Sequence, residues 1–446
     1  MSPLTLGLAY GGATLALLFL GMPIAFSLGG VATAFMFFFM PAASLDTITQ
    51  NVYEEMASIT LLTIPLFILK GAAIGKSRAG ADLYGALHAW FHRIPGGLGV
   101  ANVVACALFA AMAGSSPATC AAIGSAGIPE MRRRGYSPGF SAGLIAAGGT
   151  LGILLPPSIT MILYAVASEQ SLGKLFMAGI GPGLLLVFLF STYAVLRYGV
   201  EKRHALANGL SDHAILDDQR FTLRQKMAAL PRVLPFLILL GGVMIALYGG
   251  LATPSETAGL GALLALVLVA GIYQVFTIER LVPIMTSTIR ESTMLMFIIG
   301  MSLLYSYVMS YLHISQSAAE AIVNLHLSHW FLLLSILGMV VVLGFFLPPV
   351  SIILMTAPII LPPLRAAGFD LIWFGVIMTV VMEMGLIHPP VGLNLFVIKN
   401  IAPDIPLSQV ILGVLPFVGL MMLAVVLLCL LPDIALWLPQ TLYRGR

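Results

Sequence analysis

The chain has 446 residues, of which 59% are hydrophobic and only 9% carry a charge, and its formal net charge is +3. Soluble domains contain about 25% charged residues, so this composition excludes an ordinary soluble protein and gives no reason to expect a nucleic-acid partner. Several continuous apolar runs approach the roughly 20 residues of a membrane-spanning helix, whereas membrane barrels show short alternating segments. The sequence therefore predicts an all-α polytopic protein of the lipid bilayer.

The first half of the chain is predicted to contain a helix pair and one repeat. Residues 1–56 form a scaffold helix pair, and residues 57–196 form repeat 1, with a span, a hairpin over 97–131, a broken span over 137–168 and a further span. The return arm of the hairpin, residues 117–128, measures about 18 Å as a helix, which is too short for a hydrocarbon core of about 30 Å. We therefore expect a re-entrant hairpin, with two tilted full spans as the alternative.

The second half is predicted to repeat this plan after a polar connection. Residues 197–232 are the longest polar stretch and are interpreted as a cytoplasmic linker. Residues 233–290 form a second scaffold helix pair with an interfacial arm, and residues 291–446 form repeat 2. That repeat contains a span, a hairpin over 330–365 with a short return arm, a broken span over 369–400 and a last span.

The two halves share a register of 233 positions. Five positions of the first half recur at this offset: Pro129 at Pro362, Gly135 at Gly368, Tyr136 as Phe369, Gly152 at Gly385, and Pro156-Pro157 at Pro389-Pro390. Lys and Arg concentrate on cytoplasmic segments, which places the first half with its start outside and the second half with its start inside. The sequence therefore predicts inverted repeats with about ten full transmembrane helices and two re-entrant hairpins.

Glycines and prolines interrupt the stretch from Ala113 to Ser158 twice, first at Gly114–Pro117 and again at Gly148–Gly152 with the following Pro156-Pro157. Backbone that leaves a helix at membrane depth must be buried in protein or line a wet cavity. The stretch is therefore predicted to belong to a binding site. Helices that are merely kinked remain the alternative interpretation.

The prolines of the breaks indicate which backbone groups become available. A proline has no N–H, so it frees the carbonyl four residues earlier: that of Gly152 for Pro156, and that of Gly385 for Pro389. Carbonyl oxygens are hard ligands that suit a small cation such as sodium. The return arms begin as helices at Pro117 and Pro349, where a partial positive charge and free N–H groups suit an anionic substrate.

A few polar side chains in the apolar segments add candidates. Glu383 is either a cation or proton carrier or a paired structural residue, and His388 either contributes to the site or packs. Asn394 follows one turn later. The residues predicted to face substrate are Ser115, Ser116, Thr150, Ser158, Pro349, His388 and Asn394.

Long motifs then point to one family. The stretch GSSPATCAAIGSAGIPEMRRRGYSPGFSAGLIAAGGTLGILLPPS, with APIILPPLRAAGFD, GLIHPPVGLNLFV and ATPSETAG further on, resembles the large, DctM-like membrane subunit of tripartite ATP-independent periplasmic (TRAP) transporters. The resemblance implies a secondary transporter of the bacterial inner membrane that is driven by a sodium gradient and imports an organic acid, such as a sugar acid, sialic acid or dicarboxylate. It implies an elevator mechanism, a separate four-helix membrane subunit and a periplasmic substrate-binding protein.

By position, the resemblance also implies two sodium sites. The first would use Ser115, Gly152, Leu155 and Pro157. The second would use Phe346, Pro348, Gly385, His388 and Pro390. The chain departs from the family at the second site, because Pro348 stands where an acidic residue is common and His388 where a threonine is common.

The sequence leaves three other functions to consider. A stand-alone anion symporter or antiporter of similar plan would work without a binding protein. An intramembrane enzyme would need a paired catalytic constellation in the spans, and the sequence shows none, so no enzymatic activity is expected. A channel fits poorly, because two hairpins and two broken helices favour alternating access.

Overall fold

A computed structural model describes residues 2–207, 221–274, 277–324, 328–389 and 392–443. Within these ranges the chain forms twenty α-helices and no strand, so the all-α prediction is confirmed. The helices of the first half are α1 Pro3–Phe19, α2 Ile24–Phe39, α3 Ala43–Met56, α4 Ile59–Gly75, α5 Ala79–Phe91, α6 Gly97–Ala113, α7 Ser116–Arg133, α8 Pro138–Leu154, α9 Ile159–Ser168 and α10 Leu172–Ala207. Those of the second half are α11 Leu223–Tyr248, α12 Pro254–Tyr273, α13 Ile278–Tyr311, α14 Ile314–Asn324, α15 His329–Gly344, α16 Pro349–Ala366, α17 Leu371–Ile387, α18 Leu393–Ile401, α19 Leu407–Leu430 and α20 Asp433–Tyr443.

The helices have the length and apolar surface of a polytopic membrane protein. In the described part of the chain, five helices are long and apolar enough to cross a membrane, or up to eight if each bent pair counts as one span. Large apolar side chains such as Leu8, Phe38 and Leu412 point outward with most of their surface exposed, as expected where lipid is the solvent. The predicted count of ten spans and two hairpins stays a prediction.

The helix bounds follow the register of 233 positions. Helix α16 begins at 349 and ends at 366, against 116 and 133 for α7, and α17 runs from 371 to 387, against 138 and 154 for α8. Gly135 and Gly368 end the corresponding turns with the same left-handed backbone, at φ 80° and 81°. A sequence register thus reappears as a register of helices and turns.

The predicted lengths of the return arms are wrong. Helices α7 and α16 have 18 residues each, or about 27 Å, because they continue through Pro129 in α7 and through Pro358 and Pro362 in α16. A proline removes one helix hydrogen bond, but its fixed φ is compatible with a helix, so these prolines do not end the arms. The tight connection of α6 to α7 through Gly114 and Ser115 remains the support for a hairpin.

The breaks in the long spans are shorter than predicted. Residues 148–152 lie inside α8, which breaks only at 155–158 with a bend of 41° to α9, and residues 384–387 lie inside α17, which ends before His388. These glycines allow neighbouring helices to approach closely: a methyl group on Gly148 would lie 2.8 Å from the Cys106 sulfur. Here glycine serves close helix contact.

The polar linker is also shorter than predicted. Residues 197–207 continue α10 and residues 223–232 begin α11, and residues 208–220 of the predicted linker lie outside the described residues. Arg197 Nε lies 3.0 Å from Glu201 Oε1 one turn later, a spacing that supports a helix. The other Glu201 oxygen accepts from the Ser137 backbone N–H at 2.7 Å, so this charged helix end also caps α8.

A close backbone contact between α8 and α19 predicts a stability difference. A methyl group on Gly143 would overlap the backbone of Gly413 in α19, whereas one on Gly242, in α11, meets nothing within 4 Å. Gly143→Ala is expected to destabilise the protein by about 1–3 kcal/mol, and Gly242→Ala to be neutral or stabilising through helix propensity. Thermal unfolding in detergent measures both, and equal midpoints would contradict the packing described.

Candidate functional site

The first hairpin tip lies against the first broken span. Gly114 ends α6 with a left-handed φ of 65°, and Ser115 precedes α7 in extended conformation. A methyl group on Gly152 would lie 2.9 Å from the Ser115 carbonyl carbon, and one on Gly114 would lie 2.9 Å from the Pro157 oxygen. Ser115, Gly152 and Pro157 are therefore brought together. Leu155, two residues before Pro157, is the C-cap residue of α8.

This first junction offers oxygen atoms. The prolines at 156 and 157 have no N–H to give to the carbonyls of Gly152 and Ile153, and the Ser115 side chain makes no hydrogen bond to the start of α7. Among the described residues, no group of three or more His, Cys, Asp or Glu could hold a metal ion. The ligands present fit an oxygen-preferring cation rather than a transition metal, and sodium binding there stays a prediction.

The second hairpin tip lies against the second broken span in a similar way. A methyl group on Gly385 would overlap the Gly344 carbonyl at the end of α15. The His388 ring stacks on Phe345 with 4.7 Å between ring centroids, and its Nδ1 lies 2.6 Å from the Pro389 oxygen. His388 therefore packs on the tip, in line with one of its two predicted roles.

The other described residues of the second predicted site belong to the hairpin tip. Pro348 precedes α16 and Pro349 is its buried first residue. Phe346 is half exposed, and its ring meets Phe19 with 5.6 Å between centroids. Pro390 lies outside the described residues.

A buried polar cluster joins the two halves. Ser116, the first residue of α7, donates from its hydroxyl to Glu383 Oε2 in α17 at 3.1 Å. Asn394 in α18 donates to the same Ser116 oxygen at 3.0 Å and to the Ala146 carbonyl of α8 at 3.1 Å. All three side chains are almost fully buried. The cluster brings Ser116 and Asn394, both predicted from sequence, onto Glu383.

Two hydroxyls predicted to face substrate each form a hydrogen bond with a backbone group. Thr150 donates to the Ala147 carbonyl at 2.6 Å within α8. Ser158 accepts from the Met161 N–H at 3.3 Å and so caps α9. Ser158 keeps its hydroxyl hydrogen and Thr150 keeps acceptor lone pairs, and their contact with substrate stays a prediction.

Helix α7 is held along its length by the second half. Beyond Ser116, a methyl group on Gly124 would lie 2.6 Å from Ile401 at the end of α18. At its C-terminal end Arg132 forms an ion pair with Asp404. The hydrogen bond from Arg132 holds the pKa of this exposed carboxyl below its usual range. Sequence reasoning missed this packing, because the residues involved are more than 260 positions apart and no local pattern connects them.

Comparison with known proteins settles the family. A model of the tripartite ATP-independent periplasmic transporter DctM component matches residues 12–434. The chain belongs to the DctM family. This family consists of transporter permease subunits, so the predictions of the family and of a non-enzymatic protein are confirmed.

Individual relatives cover nearly all of this DctM chain. The C4-dicarboxylate TRAP transporter large permease protein DctM of Pseudomonas aeruginosa is 37% identical over 93% of the chain and 94% of that protein. The sialic acid TRAP transporter large permease protein SiaM of Vibrio cholerae is 29% identical, with 96% of both chains covered. The ectoine TRAP transporter large permease protein TeaC of Halomonas elongata is 30% identical, over 96% and 97%.

A solved structure shares the fold. The YdaH transporter of Alcanivorax borkumensis superposes with a TM-score of 0.67 over 96% of this chain and 99% of its own, at 16% sequence identity. At that identity the match supports the fold of the DctM chain, and the site is argued from the chain's own residues.

The contacts between tip and break predict the effect of a single methyl group. Gly152→Ala would force Ser115 away from the end of α8, at a cost of about 1–3 kcal/mol for the docked tip. Substrate uptake by reconstituted protein is expected to fall about tenfold or more. Gly85→Ala, in α5 with nothing within 4 Å, is the control and should transport normally. Wild-type uptake by the Gly152 variant would rule out close docking during transport.

Proposed function

We propose that this DctM-family chain is the large permease subunit of a secondary transporter that uses a sodium gradient to import an organic acid delivered by a periplasmic binding protein. The observation that carries the proposal is the pairing of each hairpin tip with a broken helix, Gly114–Ser115 with Gly152 and Gly344 with Gly385. Two such junctions in one chain are typical of alternating-access transporters, whose ion and substrate sites lie at broken helices.

Sodium coupling is supported by the chemistry of the first junction. The carbonyls of Gly152 and Ile153 and the Ser115 hydroxyl, which makes no cap bond to α7, are neutral hard oxygens. Neutral oxygens favour a monovalent cation that a gradient can load and release. The second junction offers backbone oxygens and His388, and we propose a second sodium site there, to which Phe346, Pro348 and Pro390 would also contribute.

An elevator mechanism is supported by the way the hairpins are fastened. Helix α7 of the first half is joined to α17 and α18 of the second half by Ser116, Glu383 and Asn394, and again by Arg132 and Asp404. We propose that the hairpins and broken spans move as one body against the scaffold helices, and that the halves are inverted repeats in the inner membrane.

The substrate class rests on the relatives and on helix ends. The printed names of relatives include C4-dicarboxylate, sialic acid, ectoine and isethionate transporters. Helices α7 and α16 begin at the two tips, where helix N-termini attract negative charge. We propose a small organic acid as cargo.

The partners follow from the family. We propose a periplasmic substrate-binding protein and a small four-helix membrane subunit as a separate chain. The permease protein DctMQ of Oleidesulfovibrio alaskensis matches this chain over only 64% of its own length, which leaves room in that protein for a fused second component.

Uptake in proteoliposomes tests the proposal. The large and small subunits are reconstituted together, and labelled organic acid is supplied with or without the binding protein and an inward sodium gradient. We expect uptake only when both are present. Full uptake of free substrate without the binding protein would favour the stand-alone symporter. Uptake without a sodium gradient would contradict sodium as the coupling ion.

The role of Ser115 can be tested separately. Ser115→Ala removes a hydroxyl at the first junction, so the sodium concentration for half-maximal uptake is expected to rise roughly tenfold, the effect of one lost charge–dipole contact. Ser125→Ala is the matched control, because Ser125 lies on the same helix with its hydroxyl exposed and bonded to Ala122. An unchanged sodium titration for Ser115→Ala would remove Ser115 from the site.

A further inference from the structure

Glu383 is a buried carboxyl group without a cationic partner. Its side chain is 1% exposed; among the described residues its only hydrogen bond comes from Ser116 to Oε2, and Oε1 has no partner. No ion pair reaches it from the described residues. An ionised carboxylate taken out of water costs several kcal/mol unless a cation or enough hydrogen bonds accompany it.

Asn394 supplies a second unsatisfied oxygen at the same place. Its nitrogen donates to Ser116 Oγ and to the Ala146 carbonyl. A carbonyl can only accept, so the nitrogen end of the amide is fixed and Oδ1 is the free end. That Oδ1 is buried and has no partner. Because Glu383 and Asn394 bind the same hydroxyl oxygen, the carboxyl and amide groups that carry the two free oxygens are neighbours at Ser116.

The hydrogen atoms of this cluster are all used. Ser116 gives its single hydroxyl hydrogen to Glu383, and Asn394 gives its two amide hydrogens to Ser116 and Ala146. The two remaining atoms are both acceptors. Only a hydrogen-bond donor or a cation can satisfy them, and a negative and a neutral hard oxygen together are ligands for a metal cation of the oxygen-preferring class.

We propose that Glu383 Oε1 and Asn394 Oδ1 hold a sodium ion of their own, separate from the two junction sites and bridging the first hairpin to the second broken span. The inference rests on sodium coupling as the proposed function. The ion neutralises the buried carboxylate and satisfies both free oxygens. Unlike the junction sites, each of which lies within one half and is proposed without a carboxylate, this site carries a full charge and needs both halves.

The position of the ion gives it a mechanical role. Ser116 stands one residue after Ser115, and Glu383 two residues before Gly385. An ion at Glu383 and Asn394 therefore fastens the first tip and the second break to each other. Sodium binding at this site favours the docked tips, so it increases sodium affinity at the junctions by mutual coupling.

Sodium-dependent thermal unfolding of the purified full chain with its small subunit tests the site. Sodium chloride is titrated against choline chloride at constant ionic strength for the wild type and for Glu383→Gln. Glutamine has the same shape as glutamate and keeps an oxygen that can accept the bond from Ser116, so the variant is expected to fold. We expect its sodium concentration for half-maximal stabilisation to rise about tenfold and its sodium dependence to become less steep. Glu291→Gln makes the same chemical change on α13 and should titrate like wild type.

The outcomes separate the inference from the proposed function. A wild type that sodium does not stabilise would overturn sodium coupling as a whole. A sodium-stabilised wild type with an identical Glu383→Gln titration would leave coupling intact and show that Glu383 is neutral without a metal ion, which overturns only the new site. Equilibrium binding of radioactive sodium to the wild type gives a reading that does not depend on a variant: a third ion per chain is expected, and saturation at two or fewer overturns the site.

Discussion

The structure depends on one constraint, which is that lipid cannot hydrogen-bond the backbone where a helix stops inside the membrane. Each broken span in this chain ends against a hairpin tip, and glycine makes the approach possible: Gly152 meets the Ser115 backbone and Gly385 meets Gly344. The unpaired carbonyls are therefore covered by protein. The close contact that stabilises each break also positions the oxygens of the proposed cation sites.

The sequence predicted the class of fold, the family and the position of both breaks, because these depend on local chemistry: apolar runs, prolines and a repeated register. It failed where tertiary contact overrides a local signal. The segment from Gly148 to Gly152 suggested a helix break, yet it is helical. Its glycines have no side chains, which leaves room for the neighbouring helices. Pro129 and Pro362 looked like helix ends and are helical, because a proline's fixed φ fits a helix.

The candidate site shows the same division. Ser115, Gly152 and Pro157 could be grouped through the resemblance to the family, and they belong to one repeat and its proline break. The Ser116–Glu383–Asn394 cluster could not, because it joins residues 267 and 278 positions apart. Nothing in a single sequence states which helices of two halves become neighbours, although the isolated polar residues in apolar runs marked each member as unusual.

The fastening of α7 to the second half also concerns synthesis. Asn394, the hydrogen-bond partner of Ser116, is synthesised 278 residues after it. At about 5–20 residues per second this delay is roughly 15–55 s. During this time the first repeat is already made while its hydroxyl partner and the acceptor for Arg132 do not exist. The duplicated halves are thus not two independently finished units, and the nascent first half has to be kept intact in the membrane until ribosomes complete the second.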